Sequence, residues 1–389
     1  MRQVEGKYTG ASIFANTIEE ATIEQVQRVC DHPIFKDCNI KVMPDCHAGA
    51  GCVIGFTSDM PHNGEIIPNI IGVDQNCGMY VVKLQESPLL NDYEKLDKII
   101  RNHVPCGFDG RDCVSDDIPE DLYEEVRRIS TDILKDNYVT HLKKIGSLGG
   151  GNHFISIEKG ETGTYLIIHS GSRNFGNKLA VHFQQIANSK HCYGEGVLKT
   201  LSYIDGADAE EYLRCAEVCR QFAHWSRRIM AKTIMEGMRW REESSFETLH
   251  NYIGSDNIIR KGAISCMANE QVLIPLNMRD GSLICIGKGN DEWNHSGPHG
   301  AGRILSRTAA RESLSMKEYK STMEGIWTSC VNVSTIDESP MAYKNGDEIK
   351  ELIQSTATVI DHLKPVYNFK CAEEASFITK RKNKMKEKE

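Results

Sequence analysis

The sequence has no excess of basic charge: 46 Lys+Arg against 54 Asp+Glu leave a formal net charge of −8. A globally basic surface is excluded, so any nucleic-acid site has to be a local patch. None of the 14 cysteines stands in a Cys-x-x-Cys pair, which argues against zinc ribbons and thioredoxin-like chemistry. No apolar run approaches the ~20 residues of a membrane span. Arg2 is not followed by an apolar core, so no secretory signal is read, and a cytoplasmic, reducing compartment is expected. Internal repeats, low-complexity linkers and sharp composition shifts are missing too. Gly287-Lys288-Gly289-Asn290 sets a lysine between glycines but lacks the spacing of a Walker A motif.

What is present is an ordinary globular composition, 40% hydrophobic and 26% charged, in a 389-residue chain long enough to bury a large core. Short apolar runs predict strands at 52–56, 79–84, 154–157, 165–168 and 283–286, and around Val272. Helical spacing predicts helices over 18–30, 208–241 and 346–363, and a mostly helical stretch over 85–145. In the helix at 208–241, Asp208 and Glu211 resemble a capping box, and Cys215 and Cys219 read as core thiols one turn apart. The expected fold class is α+β, with mixed β-sheets flanked by helices around a central cleft. Candidate reactive residues are scattered from 45 to 370, which favours one integrated domain over 1–370. Residues 371–389, with Lys380-Arg381-Lys382-Asn383-Lys384, read as a flexible basic tail.

Chemistry concentrates at a few stretches. Ser296-Gly297-Pro298-His299-Gly300-Ala301-Gly302-Arg303 reads as a helix start. Pro298 suits the first turn, and Ile304, Leu305, Thr308 and Ala309 supply an apolar face. His299 would lie at the positive end of a helix dipole, which favours phosphate and a neutral, nucleophilic ring. The plain alternative is a helix start with an incidental histidine. Asp74-Gln75-Asn76-Cys77 places a carboxylate and a thiol three residues apart, ahead of Gly78. His153, His169 and His250 each sit at a junction between a loop and a regular element. Together these donors suit Zn, Mn, Fe or Co, although a single such histidine is more often a hydrogen-bonded structural residue than a ligand. Asp45 and His47 share one side of an extended segment, or simply form a turn. Ser172-Arg173 can hold a phosphate by charge-assisted hydrogen bonds, or make a surface salt bridge.

The combination resembles a known family. Asp45-x-His47-x-Gly49, Asp74-x-x-Cys77-Gly78, Gly151-Asn152-His153-Phe154, His169-Ser170-Gly171-Ser172-Arg173, His250-Asn251, Gly287-Lys288-Gly289-Asn290, His299-Gly300-Ala301-Gly302-Arg303 and Ala342-Tyr343-Lys344 occur in the order of the RtcB family. That family comprises RNA-splicing and RNA-repair ligases that use GTP, and the resemblance spans roughly residues 40–370. It implies a single RtcB-like domain with a two-Mn²⁺ site held by Asp74, Cys77, His153, His169 and His250, the thiol bridging the ions. It implies that His299 attacks the α-phosphate of GTP, with Asp45 and Arg173 also catalytic. The implied nucleotide pocket comprises Asn152, His153, Phe154, Ser156, His250, Asn251, Pro275, Leu276, Asn277, Met278, Ser282, His299, Gly300, Ala301, Gly302, Tyr343 and Lys370. The implied partners are RNA with 3′-phosphate or 2′,3′-cyclic phosphate and 5′-hydroxyl ends, tRNA halves among them, for a monomer that needs no membrane. An activating protein partner is neither required nor excluded by the resemblance.

The chain departs from the family pattern at several places. Ser156 stands where the family commonly has the glutamate that reads the guanine edge, and a carboxylate acceptor is lost there. Leu276-Asn277-Met278 replaces Gly-Ser-Met, Pro298 replaces a small polar residue, and Lys370 is followed by a tail. The expectation is GTP use with relaxed preference over other nucleotides. The alternatives are a nucleic-acid 3′-end capping enzyme or a metal-dependent hydrolase. A purely binding member is disfavoured, because binding needs no nucleophile.

Overall fold

The computed structural model describes residues 1–86 and 91–372. The chain opens with an antiparallel pair, β1 (Arg2–Glu5) and β2 (Gly10–Ile13), followed by α1 (Glu20–Cys30). Val26, Val29 and Cys30 recur at helical spacing and are buried, which fixes the inward face of α1. Next come β3 (Ile40–His47), β4 (Ile54–Asp59), the single turn α2 (Pro68–Ile71) and β5 (Gly78–Leu84). The stretch expected to be mostly helical holds α3 (Tyr93–His103), α4 (Glu120–Arg128) running into a π-helical turn, and α5 (Tyr138–Leu142). The hairpin β6 (Phe154–Gly160) and β7 (Gly163–Ser170) leads into α6 (Arg173–Lys190) and the long α7 (Gly206–Met238). Strands then dominate: β8 (Glu242–Leu249), β9 (Tyr252–Ile253), β10 (Ile258–Lys261), β11 (Ala263–Ser265), β12 (Gln271–Asn277), β13 (Gly281–Gly287) and β14 (Ser296–Pro298). Three short helices, α8 (Arg307–Ser313), α9 (Met316–Thr322) and α10 (Gly346–Leu352), precede the last strand, β15 (Ala357–Phe369).

Seven strands form the central sheet in the order β12-β13-β15-β6-β7-β5-β8. All of its pairings are antiparallel. Its middle strands are buried almost throughout, so both faces are covered. On one face Tyr80, Val82 and Ile168 pack against Leu96 and Ile100 of α3 and Met230 and Ile234 of α7. On the other, Met79 and Val81 meet Leu273, Ile284 and Leu363 from the opposite half of the same sheet. The sheet therefore curls over itself until its edge strands meet, and Leu273 N donates to Thr248 Oγ1 at 2.9 Å. A six-stranded sheet, β1-β2-β3-β4-β10-β9, lies beside it and contains one parallel pair, β2–β3. This is the expected α+β class with mixed sheets. No helix among the described residues is long and apolar enough to cross a membrane.

Three expectations need correction. Residues 346–363 are helical only as far as Ser355, α10 ending at Leu352 and a 3-10 turn following over Ile353–Ser355, and from Ala357 the chain is strand. Thr358, Val359 and Ile360 are β-branched, and the strand finds partners in β13 and β6 far away in sequence. His299 does not open a helix. Pro298 ends β14, paired with Ala263, and the helix starts only at Arg307 with Ser306 as its cap. The long helix starts at Gly206, earlier than the capping-box reading places it, and Asp208 lies within its first turn, bonded to Lys190. Tyr212, Cys215, Cys219 and Phe222 are buried along it as core. The basic tail expected to be flexible falls, from residue 373 on, outside the described residues.

Candidate active site

The register of four strands brings the metal-type donors together. Gly78 of β5 pairs with Ser170 of β7 on one side and with Leu249 of β8 on the other. Phe154 of β6 pairs with His169 of β7. Cys77, His169, His153 and His250 therefore all stand at one end of the sheet, in or next to those paired positions. Asp74 lies in the tight turn ahead of Cys77, whose N–H donates to Asp74 O at 3.4 Å. Asn251 clamps that turn, its Nδ2 donating to the same carbonyl at 3.0 Å.

Two donor triads result, Cys77–His169–His250 and Asp74–Cys77–His153, each with its ligand atoms within 4.8 Å of one another. Cys77 belongs to both. Its Sγ is 3.4 Å from His153 Nε2 and 3.2 Å from His169 Nε2. His153 Nε2 also lies 3.0 Å from Asp74 Oδ2. His169 turns its Nδ1 to Asn152 O at 3.3 Å, which directs Nε2 to the cluster. Burial holds both His169 and His250 well below the ordinary imidazole range, so they stay neutral, the form that binds a cation. Burial, together with the Asp74 carboxylate, pushes the Cys77 thiol well up. A bound cation reverses that preference and takes the thiolate. The buried Nδ1 of His250 has no hydrogen-bond partner. Mixed N, S and O donors sharing one thiol fit a pair of divalent ions.

His299 stands on the opposite wall. Its Nδ1 lies 2.6 Å from Oδ2 of Asp45, a fully buried residue of β3. The same oxygen accepts from Gly300 N at 3.3 Å. Gly302, at φ +77°, brings Asp45 O within 2.4 Å of where a Cβ would stand, so only glycine fits there. Lys344 Nζ donates to Pro44 O at 3.0 Å and Cys46 O at 3.4 Å, bracing β3 on either side of Asp45. The pairing keeps the proton on Nδ1 and leaves Nε2 as the free lone pair. His299 and His250 rings are 4.9 Å apart, which places this lone pair's ring against the metal-type cluster. The orienting group is thus a carboxylate, where the sequence suggested a helix dipole. His47 also reaches this wall, its Nδ1 donating to Asp45 O at 3.1 Å.

A cavity of about 330 Å³ opens between the two walls. Asp74, Cys77, His169, His250 and His299 line it, as do Asn152, Phe154, Asn251, Pro275, Leu276, Asn277, Met278, Ser282, Gly300, Ala301, Gly302, Tyr343 and Lys370. Of the residues expected around a nucleotide, His153 and Ser156 are not among the lining. His153 faces a second, larger groove of about 1020 Å³, and Ser156 is fully buried beneath the lining, on the cavity side of β6 and bonded to Glu158. The groove sets Lys144, Arg173, Arg307 and Arg311 against Asp74, Asp337 and Glu338, with Arg307 and Arg311 paired to Asp337, and it meets the cavity at Asp74, Arg307 and Glu338. Arg173 is anchored there by Gly107 O at 2.6 Å and Ser147 Oγ at 3.4 Å. Ser172 is turned inward, its Oγ donating to Gln75 O at 2.7 Å. Lys288 bonds Gln354 O and lines neither space.

Some residues of the site escaped the sequence reading. Glu338 gathers Lys370 at 2.9 Å, Arg307 at 2.9 Å, Arg303 at 3.3 Å and the Tyr343 hydroxyl at 2.8 Å. Burial would raise its carboxyl, but Lys370, Arg307 and Arg303 hold it below the usual range. The only sequence trace is the acidic pair Asp337-Glu338 ahead of Ser339-Pro340. Glu158 lines the cavity and Arg227 lies behind the metal-type loops, and no local pattern marks either.

The sequence matches the family described as tRNA-splicing ligase RtcB over residues 25–371. It is 30% identical over 377 residues to the RNA-splicing ligase RtcB of Escherichia coli K12, covering 86% of this chain and 90% of that protein. Over 385 residues it is 27% identical to the RNA-splicing ligase RtcB2 of Escherichia coli ATCC 25922, covering 91% and 93%. The tRNA-splicing ligase RtcB of Aeropyrum pernix is 25% identical over 417 residues, covering 84% and 86%.

Proposed function

The chain belongs to the RtcB family of tRNA-splicing ligases, and from this we propose that it joins RNA 3′-phosphate or 2′,3′-cyclic phosphate ends to 5′-hydroxyl ends with GTP. The observation that carries the reading is the buried Asp45–His299 pair, set across one cavity from two donor triads that share Cys77. A histidine oriented through Nδ1 presents Nε2 as a nucleophile, and His299 belongs to neither donor triad.

In this scheme His299 Nε2 attacks the α-phosphorus of GTP. An N–P bond forms, the bond to the bridging oxygen breaks, and pyrophosphate leaves. Asp45 keeps the Nδ1 proton and offsets the charge that the ring acquires. An oxygen of the RNA 3′-phosphate, formed by hydrolysis where the end begins cyclic, displaces Nε2 and takes the guanylate. The 5′-hydroxyl of the second RNA then attacks the 3′-phosphate phosphorus, loses its proton, and expels GMP. Lys144, Arg173 and Arg311 supply positive charge along the groove for the RNA backbone. Two divalent ions, read here as Mn²⁺, would be held by Asp74, Cys77, His153, His169 and His250 and would neutralise phosphate charge.

The test is incubation with Mn²⁺ and α-labelled GTP. Wild type should take up an acid-labile label, His299→Ala should take up none, and RNA with 3′-phosphate and 5′-hydroxyl ends should be joined. Absence of label in wild type removes the mechanism. Label without joined RNA favours a capping enzyme.

A further inference from the structure

Glu158 is a buried carboxylate at the cavity wall that the reaction scheme leaves unused. It is 3% exposed and lies on β6, on the same face as Phe154 and Ser156 because side chains alternate along a strand. Ser156 Oγ donates to Glu158 Oε1 at 2.8 Å. Glu158 Oε2 is buried with no hydrogen-bond partner, and so is Ser282 Oγ, which lines the same cavity. An unpartnered buried acceptor is costly, and a ligand with N–H groups removes that cost. Burial pushes the Glu158 carboxyl up to about 7, and Ser156, the nearby Ser282 and Lys364 offset burial only in part.

The position suits the base end of a nucleotide. Phe154 lies next to the metal-type cluster, paired with His169. Glu158 is four residues further along the strand, roughly 13 Å at ~3.3 Å per residue. That span is comparable to the distance from a nucleotide's α-phosphate to the far edge of its base. Guanine presents two adjacent N–H donors, N1–H and the 2-amino group, to one carboxylate. Adenine, cytosine and uracil each set a ring nitrogen or carbonyl acceptor beside their donor, and that acceptor would face the carboxylate lone pairs.

We propose that Glu158, steadied by Ser156, selects the nucleobase by accepting hydrogen bonds from the Watson–Crick edge of guanine. The proposal rests on the ligase reading for the presence of a nucleotide, and it replaces the relaxed preference expected from Ser156 alone. Glu158 is the specificity-determining residue, and Ser156 is a positioning residue that holds one oxygen so that the other is free.

The test compares GTP, ITP and ATP in the labelling reaction, and GMP against AMP in direct binding by calorimetry. Wild type should prefer GTP, with ITP intermediate because it lacks the 2-amino donor. Glu158→Gln should weaken GTP by at least ~10-fold, the scale of a lost charge-assisted hydrogen bond, and leave ATP unchanged or improved. Ser156→Ala should lower the GTP-to-ATP ratio by less. Thermal unfolding and Mn²⁺ binding of each variant check that the fold is kept. A GTP-to-ATP ratio unchanged in Glu158→Gln overturns the proposal and leaves the ligase reading standing. If wild type takes up no label yet binds GMP over AMP, and Glu158→Gln loses that preference, the proposal stands and the ligase reading falls.

Discussion

Arg227 of α7 is fully buried, and its guanidinium ties together two of the loops that carry the metal-type donors. Nη1 donates to Asn76 O at 3.2 Å and to Ser170 O at 2.7 Å. Asn76 precedes Cys77, and Ser170 follows His169. Nε donates to Glu247 Oε1 at 3.1 Å, and His224 Nδ1 holds the other carboxylate oxygen at 2.8 Å. Burial alone would raise the Glu247 carboxyl, but the Arg227 charge and the His224 bond outweigh it and hold it down from 4.5 to about 2. At about 1.4 kcal/mol per pH unit, that depression corresponds to about 3 kcal/mol. Removing one partner of a buried ion pair typically costs about 3–5 kcal/mol, which agrees. Arg227→Met should therefore lower the unfolding free energy at pH 7 by about 3 kcal/mol or more, and weaken Mn²⁺ binding by ~10-fold or more. Because the native carboxyl is depressed, its contribution is present above about pH 4.5 and is lost as pH falls towards 2. The gap between wild type and variant should shrink over that window. Urea unfolding of metal-free protein, followed by circular dichroism, measures the first effect, and calorimetric Mn²⁺ titration the second. The double variant Arg227→Met/Glu247→Leu should recover part of the stability, since no buried charge is then stranded. A loss under about 1 kcal/mol with unchanged Mn²⁺ affinity would refute the reasoning.

Three further outcomes are expected. Asp45→Asn should slow His299 labelling by ~10²–10⁴-fold, because the ring loses the carboxylate that holds its Nδ1 proton; a single-turnover rate equal to wild type contradicts this. Gly149 has φ +94°, and a Cβ there would stand 1.7 Å from Arg173 Nη1 and 2.5 Å from His153 Nδ1. Gly149→Ala should thus displace His153 and weaken Mn²⁺ binding by ~10-fold or more in a calorimetric titration, and unchanged affinity would count against His153 as a ligand. Glu158 has its carboxyl raised to about 7, so its contribution to stability is full below about pH 4.5 and is lost as pH rises through 7. Glu158→Gln should therefore be more stable than wild type at pH 8, by up to about 3 kcal/mol relative to pH 4.5, and equal differences at both pH values in urea unfolding contradict this.

How far the site could be read in advance depended on whether its cause was local or lay in strand register. The long helix α7 was legible because Tyr212, Cys215, Cys219 and Phe222 repeat at its period, and all are buried. The donors Asp74, Cys77, His153, His169 and His250 were legible as residue types at junctions. Their convergence was not, because it depends on Gly78 pairing with both Ser170 and Leu249. No spacing within one segment encodes that. The His299 segment misled for a related reason. Pro298 suits a helix start locally, yet its partner Ala263, 35 residues upstream, makes it the end of a strand. The orienting group is then Asp45, from a different sheet altogether. Residues 357–363 were lost to the same cause, since β15 becomes a strand only where β13 and β6 flank it. Ser156 shows how a local departure is legible in the sequence while its surroundings are not. The period of two that puts Ser156 on the cavity side of β6 also puts Glu158 there, two residues on. A carboxylate missing from one position of a strand is not missing from the face.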